Sequence, residues 1–246
     1  MFTSDEIKQI EDIELRHVHA LFEDGGLYEQ STSLFVLIST NAELFAFACI
    51  KRTRDIFIAI SHMKKYSDQQ VADGEVPILP NPMIDISFRS CLETVAFGWW
   101  ILDNQDKAIS AIKKDWEIRQ GHRDLLREYS DEAVSKCVDP IALYKEGDIS
   151  FIDIDDLITV EDLPSCKNMI SEMEKDLETI VSIPMYKILS HYSTHTTLSS
   201  LWPYMHPGLD YGDPSVGEVF IDFFKVSLYG LTVELLKKLV VHLNVK

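Results

Sequence analysis

NPMIDISFRSCLETVAFGWWILD, residues 81 to 103, is the stretch whose reading decides the fold. Asn81 suits the N-cap, and Pro82 suits the first helical position, where a missing backbone N–H costs nothing. Apolar residues follow at 84, 88, 91, 92, 95, 96, 99 and 102 and wrap most of the circumference. That is the pattern of a helix with neighbours on several sides. One stripe breaks it. Asp85, Arg89 and Glu93, spaced by four, share a face. A buried ion without a partner is very costly, so the arginine pairs within its own helix or across to a neighbour.

Working outward, Thr3 and Glu6 make a capping box, and Ile7, Ile10, Ile13, Val18 and Leu21 continue a helical period as far as Gly25-Gly26. Residues 33 to about 66 predict a long helix, apolar nearly all round in its first half and at Ile56, Phe57, Ile60 and Met63 later. Its basic cluster of Lys51, Arg52 and Arg54 has two uses, an anion site or salt bridges, and is expected on the side of the 81–103 helix. Residues 67–82 read as a loop by their Gly, Pro and Asn content. From about 105 to 130 a more exposed amphipathic helix carries Ile109, Ile112, Trp116, Leu125 and Leu126. The core of 131–164, DISFIDIDDLITVEDLP, is acidic and holds the only strand-like alternation, between 149 and 160. Helices follow over 165–181 and 184–200, with Pro184 in the first turn of the second. After a Pro/Gly loop the last helix spans about 215–243. The expectation is an all-α, single-domain bundle of six or seven helices over 1–246, with an irregular acidic insertion at 131–164.

Composition narrows the function. Forty acidic against 23 basic residues give a net charge of −17, which opposes sequence-independent binding to phosphate backbones. The cysteines at 49, 91, 137 and 166 lack metal-type spacing and read as reduced, structural thiols. The start, MFTSDEIKQIED, has neither the basic nor the apolar region of a signal peptide, so a cytoplasmic location is expected. The apolar run of 34–50 approaches the length of a membrane span, but Asn41 and Glu43 interrupt it. It reads as a core helix, with no membrane association.

Two segments offer chemistry. One is the Arg89/Glu93 stripe. The other is YKILSHYSTHTTLSSLW, residues 186–202, where His191 and His195 share a helix face among Ser and Thr hydroxyls. Histidines at that spacing can chelate a metal, but a zinc-protease helix places Glu after the first of them and here Tyr192 stands there. Satisfied polar histidines are the simpler reading, and neither metal nor cofactor is expected. A histidine can still move protons near neutrality. Arg119, Arg123 and Arg127 form a basic ladder with two uses: an anion site, or salt bridges to Asp124, Glu128 and neighbouring loops. Asp153, Asp155 and Asp156 lack the glycine and the later glutamate of a calcium loop. No phosphate-binding loop, dinucleotide fingerprint, nucleophile elbow or Cys-x-x-Cys is present.

FRSCLETVAFGWWIL, followed about a hundred residues later by YKILSHYSTHTTL, resembles a family of uncharacterised bacterial helical proteins. In that family an Arg-x-x-x-Glu helix precedes a Tyr-x-x-Leu-Ser segment ending in histidine. The resemblance spans roughly 30–240 and rests on these two motifs. It implies Arg89, Glu93, Tyr186, Ser190 and His195 as shared positions, with the motif histidine either His191 or His195. Such proteins are similar to the HEPN-like helical group, which includes toxins, defence ribonucleases and inactive binding modules. The ribonucleases there carry Arg, four to six residues, then His. Arg54 and His62 miss that spacing by one residue, and no other pair has it.

Two functional readings stand. In the first, this is an HEPN-like protein of a bacterial defence or stress system, with a polar pocket for an anion or nucleotide between the 81–103 and 184–200 helices. Arg89 holds the anion, Glu93 orients it or a histidine, and His195 is the proton-transfer candidate. Tyr186, Ser190, His191 and Arg54 complete the ligand-binding set. In the second, the protein is a non-catalytic interaction or dimerisation module whose buried charges are structural. The sequence leaves open whether any reaction is catalysed.

Overall fold

Thr40 fixes where the first described helix begins. Its Oγ1 accepts the backbone N–H of Glu43 at 3.3 Å, while Glu43 Oε2 accepts the N–H of Thr40 at 3.1 Å and that of Ser39 at 2.9 Å. This reciprocal pair is a capping box, T-N-A-E, and it starts α1 at Asn41. The expected start at 33 is therefore eight residues early. Glu43, read from the sequence as an interruption of an apolar run, is the residue that caps the helix.

The computed structural model describes residue 35 and residues 37–73, 81–127, 163–179, 182–190 and 216–244. Among them are six α-helices, the 3-10 turn Gln105–Lys107 and no strand: α1 Asn41–Ala72, α2 Asn81–Asp103, α3 Ala108–Arg127 after that turn, α4 Cys166–Asp176, α5 Ser182–Leu189 and α6 Val216–Asn244. The all-α expectation is met. The expected helix at 3–25, the irregular stretch from 131 to 162 and residues 191–200 lie outside the described residues.

α2 is the central helix. Phe88, Cys91, Leu92, Val95, Ala96, Trp99, Trp100, Ile101 and Leu102 are all buried, which is why its apolar residues go most of the way round. Its neighbours are α1, α4, α5 and α6. α1 runs antiparallel to it: Phe57 meets Phe88, and Cys49 meets Gly98. α6 runs parallel, Phe224 lying against Phe88 and Leu235 against Gly98. Gly98 is what lets three helices converge, since a Cβ there would stand 2.9 Å from Leu235 Cδ2 and 3.0 Å from Cys49 Cβ. Phe57 and Tyr229 stack at 4.2 Å to join α1 and α6.

Two short helices complete the wall facing the polar stripe. Ser165 caps α4, its Oγ accepting the Asn168 N–H at 3.3 Å. The other end closes with N–H bonds from Glu178 to the Lys175 carbonyl and from Thr179 to the Glu174 carbonyl. That is a Schellman turn, and Glu178 occupies its left-handed position at φ 51°. α4 thus ends at 176, ahead of the expected 181. α5 has Pro184 in its first turn, as expected, and buries Met185 and Leu189. α3 is more exposed, as the sequence predicts, with Ala108 and Ile112 buried; Ile118 is exposed, and so is Leu125, which the sequence reading counted in the apolar pattern.

Candidate functional site

The stripe on α2 opens toward α4 and α5. Arg89 Nε donates to Glu93 Oε1 at 3.0 Å, one turn along the same helix, and Arg89 Nη2 donates to the Tyr186 hydroxyl of α5 at 3.3 Å. The guanidinium carbon also lies 5.1 Å from the centre of the Tyr186 ring, within cation–π range. Both expected modes of pairing therefore occur together, within the helix and across to a neighbour. Burial works against the charge on Arg89. The hydrogen bond and charge of Glu93, with the tyrosine, outweigh it and raise the guanidinium further above its ordinary pKa. The arginine is a fixed cation. Its side chain keeps 19% exposure and that of Glu93 30%, so the junction has an edge open to solvent.

α4 brings a thiol within electrostatic reach of the pair. Cys166, exposed at the first position of α4, feels the charges of Glu93, Arg89 and Lys114. Burial of the sulfur and the negative charge of Glu93 push the thiol above its usual range, against the pull of its own backbone N–H, Arg89 and Lys114. It is a poor nucleophile at neutral pH.

The remaining expected site residues divide. Tyr186 is in contact with Arg89. Ser190, at the end of α5, donates its hydroxyl back to the Tyr186 carbonyl at 2.6 Å, a local bond that holds the turn. Arg54 lies on α1, 3.6 Å from Asp55 of its own helix. An arginine of α1 that reaches α2 is Arg52, whose Nη2 donates to Ser90 Oγ at 3.2 Å. From the basic ladder Arg127 pairs with Asp124 at 2.9 Å, the salt-bridge use. His191 and His195 lie outside the described residues, as do the side chains of Asp85, Arg119 and Arg123. Among the described residues no group of His, Cys, Asp or Glu could hold a metal ion, and no described helix is long and apolar enough to cross a membrane.

A second polar junction escapes sequence reasoning. Trp99 Nε1 donates to Asp176 Oδ2 at 2.8 Å, and the Lys238 ammonium sits 4.1 Å from the centre of the Trp99 ring. Lys238 also binds Asp103 and lies 4.0 Å from Asp176. Asp103 and Asp176 are the last residues of α2 and α4, so the lysine meets the negative ends of two helices. This clasp ties α6 to both. The indole N–H of a buried Trp and a lysine amid the apolar residues of α6 were signals that partners exist; neither identifies them.

Comparison with protein-family models, with curated proteins and with solved structures gives no match to this chain.

Proposed function

We propose that the protein is an HEPN-like helical binding protein whose working site is the Arg89–Glu93–Tyr186 junction, and that its ligand is a small anion bearing a carboxylate or phosphate, a nucleotide included. The observation that carries the reading is the contact of Arg89 with Tyr186, 97 positions apart in sequence, at an edge that keeps solvent access. It joins the two segments that carry the family resemblance. Glu93 takes the Nε side of the guanidinium and the Tyr186 ring takes one face, so the fork is held in a fixed direction before any ligand arrives. A planar, oriented guanidinium suits the geometry of carboxylate and phosphate oxygens. In the resemblance, the imidazole of His191 or His195 would be the proton-transfer group. The short Arg-to-His spacing of the metal-independent ribonucleases is missing from the sequence, so that chemistry is not proposed.

Calorimetric titration with orthophosphate, acetate and adenosine monophosphate tests this. Binding of at least one of them, lost in Arg89→Met and retained in Arg127→Met, is the expected result; three flat titrations overturn the reading. The rival reading, a structural clasp in a non-catalytic interaction protein, has one observation in its favour. Glu93 and Tyr186 already satisfy the guanidinium on at least two of its nitrogens.

A further inference from the structure

The described part of α5, Ser182–Leu189, is eight residues long, and so short a stretch does not hold its own direction in water. Its direction must come from anchors. Met185 and Leu189 sink into the core and fix its depth. The rotation that turns Tyr186 toward Arg89 needs something more directional. Ile183, in the first turn, has a backbone N–H with no partner inside the helix. That N–H donates to Glu174 Oε1 of α4 at 2.8 Å. Ile183 and Tyr186 are three residues apart and share a face, so a bond that fixes Ile183 also fixes the direction of Tyr186. Glu174 is itself held, because its helix is bound to α2 two residues later through Asp176 and Trp99. A carboxylate at a helix N-terminus is also favoured by the helix dipole.

We propose that Glu174 is a positioning residue of the Arg89 site, acting through α5: its carboxylate caps that helix in the rotation that places Tyr186 against the guanidinium. The ligand part of this inference rests on the function proposed above; the positioning part does not. Glu174 touches no ligand. Its role is to set the packing of Tyr186 on Arg89, which in turn holds the fork.

The test is nuclear magnetic resonance of the full chain, following the Arg89 Nε–H signal, with phosphate affinity measured alongside. In the native protein that signal carries the displacement caused by the Tyr186 ring, identified as the part lost in Tyr186→Leu. Glu174→Ala should shift it toward the Tyr186→Leu position and weaken phosphate binding by about fivefold, the worth of a typical helix cap expressed at the site. Glu174→Gln keeps an acceptor oxygen and should restore both. Should Glu174→Ala fail to fold, Glu174→Asp, which draws the carboxylate back by one methylene, is expected to give the same displacement. An unmoved Arg89 signal in a folded Ala or Asp variant overturns the proposal, and so does a Gln variant that behaves like Ala. If phosphate, acetate and adenosine monophosphate bind none of the proteins while the signal moves as described, the positioning role stands and the anion reading fails.

Discussion

Glu178 holds a left-handed backbone, φ 51°, at the end of α4, where a side chain costs roughly 1 kcal/mol and glycine costs none. Glu178→Gly should therefore raise stability by about 0.5–1 kcal/mol, read as a higher denaturation midpoint. The buried thiols give a pH dependence. Burial, against the pull of Arg52, pushes Cys49 and Cys91 up to about 12 from an ordinary 9.0. Both are neutral in either state below pH 9, so the stability they contribute is complete there and is lost as pH rises from 9 toward 12. At pH 10 the unfolded chain is favoured by roughly 1 kcal/mol for each. Cys49→Ala should reduce that alkaline loss by about half the share of the pair, and in the native protein at pH 8 iodoacetamide should label exposed Cys166 ahead of both. At this scale the sequence showed part of the candidate site. Arg89 and Glu93 were legible because both lie on one helix face. Tyr186 was legible through the resemblance. Asp176 and Lys238 were not, because helical periodicity identifies a face and says nothing about a partner 77 or 135 positions away; nor was Glu174, whose partner is a backbone N–H of the next helix.

Among the helices, glycine has opposite values at different places. At Gly98 an added methyl meets Leu235 and Cys49, an overpacking that costs about 1–3 kcal/mol, against a helix-propensity gain of about 1. Gly98→Ala should destabilise. Gly121 and Gly230 have nothing within 4 Å of such a methyl, so Gly121→Ala and Gly230→Ala should each stabilise by up to about 1 kcal/mol. Thermal denaturation of the three variants gives the signs. The same contrast explains which element limits were legible. α2 was read correctly at both ends, since Asn81-Pro82 marks its start and its apolar pattern runs out at Asp103. α1 was started too early because an apolar run looks helical until the capping box at Thr40 and Glu43 is recognised. α4 was carried too far because its closing turn uses Glu178 where a glycine would have announced it. α5 was expected over 184–200, and only the first part of that span, through Ser190, lies among the described residues.

For the whole molecule, charge and the polar junctions are the governing facts. A net charge of −17 predicts no submicromolar, salt-sensitive retention of a random oligonucleotide at physiological salt, which a filter-binding assay reads directly. The fold class was legible because every long segment had a helical period. The arrangement, with α6 parallel to α2 and clasped at Lys238, was not, because it depends on contacts between distant segments. The junction at Arg89 is less buried than the sequence suggested. With side chains 19% and 30% exposed, breaking the pair should cost about 1–2 kcal/mol, below the range for a fully buried ion pair. That modest cost makes the central claim testable by one measurement: thermal denaturation of the native protein and of Arg89→Met, each with and without orthophosphate. A ligand that binds only the folded state stabilises it in proportion to its saturation, by about 2.7 kcal/mol at a hundred times its Kd. A phosphate-dependent rise is expected in the native protein and no rise in Arg89→Met, whose own midpoint lies only slightly lower. A large drop in the midpoint of Arg89→Met, with phosphate leaving both proteins unchanged, would contradict it and make the junction a structural clasp.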